Sequence, residues 1–156
     1  MKLLTYTILI VCLQSMSYAQ TSGKKQEVSM DDADWVVYAL FDKITVEYKL
    51  SKCQDGDNNN EVWAVLRFTN TSNNSAEMNW SVKWERDGVC VNCDRISDDE
   101  FLHTLHFSPN QSIEGEACVT KDQRLYIFSN FVKRYPGMDS KKLTAFEFIN
   151  VKVKEL

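Results

Sequence analysis

The chain has 156 residues, of which 44% are apolar and 26% charged, with a formal net charge of -4. These values describe one globular domain and exclude a disordered chain, a collagen-like repeat and a multi-span membrane protein. The acidic balance gives no basis for wholesale binding to nucleic acid or anionic lipid, so no nucleic-acid partner is expected.

Residues 1–19 read as an export signal. Met1-Lys2 is a positive start, Leu3 to Leu13 is an apolar run, and Ser17-Tyr18-Ala19 puts small residues where a signal peptidase cuts. The run is shorter than the roughly 20 residues that span a bilayer, so no membrane span is expected. Cys12 lies inside the apolar run behind Val11, the wrong setting for a lipid anchor. Cleavage after Ala19 removes Lys2, changes the net charge from -4 to -5 and places the protein in the periplasm or outside the cell.

Residues 20–34 carry Gly, Ser and charge with few large apolar residues, and are expected to be a flexible lead-in to a domain covering 35–156. From Trp35 the chain changes to short runs of Val, Ile, Phe, Tyr and Trp between polar turns, the pattern of strands. The runs are 35–41, 44–52, 61–70, 77–86, 101–107, 112–119, 124–132 and 143–154. In 44–52, Ile44, Val46, Tyr48 and Leu50 alternate with Thr45, Glu47, Lys49 and Ser51, which is the period of a half-buried strand. In 77–86, Trp80, Val82 and Trp84 share a face. The 124–132 run is apolar on both faces and is expected to be central. In 143–154 the apolar parity changes near Phe148-Ile149, which predicts a bulge. No window of twelve residues carries a helical stripe. About eight short strands with polar turns predict an all-β antiparallel sandwich, with a closed barrel as the alternative.

Four cysteines remain after cleavage: Cys53, Cys90, Cys93 and Cys118. An even number in an oxidising compartment reads as two disulfides with three possible pairings. The favoured pairing closes Cys90–Cys93 around Val91-Asn92 and joins Cys53 to Cys118. A redox dithiol or metal-handling site at Cys90 and Cys93 is the competing reading. The acidic sequence after Cys93, Asp94 through Glu100, disfavours a thiolate, and a zinc ribbon would need a second pair of knuckles. The order Cys53, Trp63, Cys118 resembles the immunoglobulin pattern of bridged cysteines with a tryptophan packed on them. Trp63 comes early and Glu116 stands where a corner tyrosine belongs, so the resemblance implies Ig-like architecture without family membership. Taken whole, Glu47-Tyr48-Lys49, Cys53, Phe68-Thr69-Asn70, Cys90, Cys93 and Glu114-Gly115 resemble small uncharacterised exported bacterial proteins built as one disulfide-stapled sandwich. That resemblance implies no activity.

Asp55, Asp57, Asn59 and Glu61 place oxygen ligands at alternate positions, making a weak calcium candidate. Asn60 stands where an EF-hand has its turn glycine and Leu66 where it has its bidentate glutamate, so a hairpin loop is the expectation. His103 and His106 fall on opposite faces of their strand and cannot chelate one ion together. Lys133-Arg134-Tyr135 and Lys141-Lys142 form the one basic loop. Trp80 and Trp84 are expected in the core, and Trp63 is the better candidate for an exposed aromatic. Without a nucleophile elbow or a phosphate loop, no catalytic residue and no cofactor are expected. The leading expectation is a non-catalytic exported protein that binds a protein or envelope component or serves as an accessory subunit. A thiol–disulfide or metal-handling protein and a carbohydrate-binding module are the alternatives.

Overall fold

The computed structural model describes residues 23–29, 33–53, 61–117 and 119–156. The expected signal, the calcium candidates Asp55, Asp57 and Asn59, and Cys118 lie outside the described residues. Among the described residues the strands are β1 (Gln26–Glu27), β2 (Val36–Phe41), β3 (Ile44–Lys52), β4 (Glu61–Asn70), β5 (Ala76–Arg86), β6 (Val89–Cys90), β7 (Leu102–Phe107), β8 (Ser112–Glu114), β9 (Tyr126–Phe131) and β10 (Leu143–Glu155). Single 3-10 turns cover Cys93–Arg95, Asp99–Phe101 and Gln123–Leu125. Among the described residues no helix is long and apolar enough to cross a membrane. The protein is all-β, and each run expected from the sequence holds a strand, the one at 112–119 only over Ser112–Glu114.

The strands form two antiparallel sheets. The first runs β1-β10-β5-β6 with β7 also on β5; the second runs β2-β3-β4-β8 with β9 also on β4. Among the described residues neither sheet closes on itself, which removes the barrel alternative. The apolar faces of both sheets enter one core, because period-two alternation sends one side of each strand inward. Phe68 of β4 lies 5.0 Å from Trp80 of β5, and Phe148 of β10 stacks on both rings. Burial in β3 alternates residue by residue from Ile44 to Ser51, as its sequence predicts.

β4 is the central strand, and this corrects the expectation for 124–132. β3 pairs along one side of β4, while β9 and β8 share the other, at Glu61–Val65 and Arg67–Thr69 respectively. β9 is apolar on both faces for a different reason. Ile127 enters the main core, whereas Tyr126 and Phe128 pack with Trp35 and Ala117 on a small second cluster of Cys53, Trp63 and Val65. That cluster covers the outer face of the second sheet, so both sides of β4 are dry there.

Other departures have local causes. β8 stops at Glu114 because the chain turns at Gly115, where an added Cβ would stand 2.5 Å from the Leu125 carbonyl oxygen. Within the segment 20–34, Gln26 and Glu27 pair with Phe146 and Ala145, so this part of the expected lead-in adds to the edge of β10. In β10 the register shifts between Ile149 and Lys152, beside Asn150 at φ 55°, just after the predicted bulge site; a second shift follows Leu143. The Phe148 N–H donates to the Tyr38 hydroxyl oxygen at 2.8 Å, and burial pushes the Tyr38 phenol up to about 12. The β5–β6 hairpin turns on Asp87 and Gly88, both at positive φ, the backbone that an Asp-Gly pair favours in two-residue turns. Asn70 is fully buried and holds the β4–β5 turn. Its side-chain amide donates to Asn74 O and Ser108 O, and its Oδ1 accepts from Ser72 N–H.

Candidate binding cleft

The two sheets part at one side, between β7 with its preceding turn in the first sheet and β9 in the second. The opening is a cleft of about 350 Å³. Trp84, half-buried on β5, meets Phe101 edge-on at 5.3 Å to form one wall. Tyr126, Ile127 and Phe128 of β9 line the other side, Ile127 from the core face and Tyr126 and Phe128 from the outer-face cluster at the sheet edge. Tyr126 shares the outer face with Trp63, whose ring stacks on it at 4.0 Å, and Trp63 Nε1 donates to the Glu61 carboxylate at 2.7 Å.

Two arginines bracket this opening by crossing from sheet to sheet. Arg86, at the end of β5, donates through Nη2 to Ser129 O of β9 at 3.0 Å and through Nη1 to Asp139 at 3.0 Å, with its guanidinium 5.0 Å from the Phe128 ring. Arg124 reaches the other way, donating to Thr104 O of β7 at 2.6 Å. It is oriented by Asp122, whose carboxyl is held below the usual carboxylate range by that guanidinium. Arg86 Nε is buried and has no hydrogen-bond partner among the described residues. His103 lines the cleft against Trp80 at 5.4 Å, and its imidazole is pushed down first by desolvation and then by the Arg124 charge. Glu100 and Gln123 complete the rim; Glu100 is paired with Arg95.

The Cys90–Cys93 disulfide is present, with Cα atoms 5.8 Å apart, and it shapes the same wall. Between its cysteines, Val91 lines the cleft while Asn92 turns inward. The Asn92 amide donates to Val82 O at 2.8 Å and its Oδ1 accepts from the Trp84 N–H at 3.2 Å. One side chain thereby supplies the bonds that a neighbouring strand would make to β5.

The residues singled out in the sequence are scattered by the fold. Trp80 is in the core at 2% exposed, but Trp84 is on the cleft wall. Trp63, expected to be exposed, is buried at 7% because Tyr126 covers it; it offers no platform to solvent. Cys53 is buried beside Trp63 and is disulfide-bonded, and Cys90 and Cys93 are paired with each other. Of the four calcium candidates only Glu61 is described, and its carboxylate accepts the Trp63 indole N–H. His106 is exposed, 3.6 Å from Glu77 and on the face away from His103. In the basic loop, Lys133 lies over Tyr135 on the surface. Among the described residues no group of three or more His, Cys, Asp or Glu is placed to hold a metal ion. Arg86 went unnoticed although a signal existed: it has the same parity as Trp80, Val82 and Trp84, so a charge was aimed at the inner face. Nothing in the sequence indicated that Arg124 would reach β7. No protein-family model, no curated protein and no solved structure matches this chain, so the cleft is interpreted from its own geometry.

Proposed function

We propose that the chain is an exported, non-catalytic binding domain of Ig-like sandwich architecture, with the inter-sheet cleft as its ligand site. The observation that supports this reading is the concentration of partly open aromatic side chains at one opening, next to a few polar groups with spare hydrogen-bonding capacity. That combination is what ligand sites use for affinity and orientation. The Ig likeness extends to the layers alone. Cys53 and Trp63 do pack together, but on the outer face of the second sheet rather than between sheets. The expected partner is a protein or a component of the cell envelope.

The test is a ¹H–¹⁵N correlation spectrum of the exported protein titrated with a soluble envelope extract. Signals from 82–86, 100–103 and 123–128 should move together. Shifts confined to another surface would place the ligand site elsewhere. Thiol–disulfide exchange is the second reading, favoured by Cys93 being exposed in a four-residue loop beside the cleft. Fast reduction of Cys90–Cys93 by a glutathione buffer would support it.

A further inference from the structure

Resting on that reading of the cleft, we propose that its ligand is a neutral saccharide, one ring seated beside Trp84 with its hydroxyls on the rim groups. Three observations lead there. The first is charge. Arg86 is paired with Asp139 and Glu100 with Arg95, while burial first and the Arg124 charge second push the His103 imidazole down. A charged ligand would find its counter-charge already engaged.

The second is the hydrogen-bond inventory that remains. The Glu100 carboxylate has lone pairs to spare beyond its pairing with Arg95, and the His103 imidazole and Gln123 amide can each donate and accept. Donors and acceptors carried together on planar groups suit hydroxyls, each of which gives one bond and takes others. The aromatic wall supplies a surface for the C–H face of a sugar ring.

The third excludes the main competitor. An extended peptide would dock by adding a strand to the open edges of β7 or β9. Beside the cleft, Thr104 O of β7 already accepts from Arg124, and Ser129 O of β9 already accepts from Arg86. An incoming strand on either edge would meet the bridging guanidinium that stands there.

The experiment is an array of neutral and acidic glycans probed with the purified protein. A ¹H–¹⁵N titration with the strongest neutral glycan follows, and then the apolar dye 1-anilinonaphthalene-8-sulfonate as a separate probe of the cleft. Neutral glycans should bind and shift the Trp84 indole signal while leaving that of buried Trp80 in place. Trp84→Ala, confirmed as folded by its melt, should weaken binding by about tenfold or more, the equivalent of one aromatic contact. Glycan binding unchanged in Trp84→Ala, or binding of acidic glycans alone, overturns the inference. Dye shifts at Trp84 with no glycan bound overturn the saccharide but keep the cleft as a site. Cleft signals unmoved by glycans, by dye and by envelope extract end both readings.

Discussion

Trp80 and Trp84 share a face of β5 and look equivalent in the sequence, yet truncating them should have different consequences. Trp80 is 2% exposed, 5.0 Å from Phe68, 5.7 Å from Phe148 and 5.4 Å from His103. Removing its indole leaves a hole that touches both sheets, and central β4 and β5 cannot collapse into it without breaking register. Trp80→Ala should cost about 3–5 kcal/mol, the range for a fully buried aromatic. Trp84 has one side against Phe101 and the other on the cleft, so part of its area is already exposed. Trp84→Ala should cost about 1–2 kcal/mol. With a domain of this size each kcal/mol moves the midpoint by about 4 °C, which gives drops of roughly 12–20 °C and 4–8 °C. Thermal melts by circular dichroism, with disulfides intact and urea m-values checked for equality, measure both. Equal drops would refute the placement of Trp84 on an open wall, and a small drop for Trp80 would refute the shared core.

Four further outcomes follow from the structure. Asn70→Ala removes three hydrogen bonds at a fully buried site and should cost about 2–4 kcal/mol in urea unfolding, since the backbone groups it serves lose their partners. Cys90→Ser/Cys93→Ser should cost about 2 kcal/mol by loop entropy alone, and a Cys53→Ser variant distinctly more if its disulfide closes a long loop; the reverse ranking in paired melts would refute the entropic account. Stability should fall as pH drops through 6.5, because the unfolded chain takes up a proton at His103 that the folded one resists. Urea midpoints across pH should show this slope and His103→Gln should abolish it, whereas loss of the Asp122 contribution should begin only as pH falls below 3.8. Gly115→Ala should destabilise by about 1–3 kcal/mol by forcing its methyl against the Leu125 carbonyl, and an unchanged melt would show that the turn can give way.

Alternation along the chain was enough to determine the all-β class and the positions of the longer strands, though not β1, β6 or the early end of β8. In 44–52 and 61–70 the period of two is a local property, since adjacent residues point to opposite faces whatever the partner strand, and both spans form as read. The Cys90–Cys93 link was legible for the same reason, because four residues bring their own ends together. Which strand became central was decided by tertiary structure: apolar residues on both faces of 124–132 record two dry surfaces, and the sequence cannot say whether a strand or a Trp63–Tyr126 stack makes the second one dry. Burial of Trp63 likewise depends on a ring 63 positions away in the chain. The cleft was beyond local reading altogether. It exists because β7 and β9 lie at edges of different sheets, with Arg86 and Arg124 each bonding across from one sheet to the other beside the gap. A single chain's periodicity specifies which way each residue points, but the space between two sheets depends on how they are laid against one another.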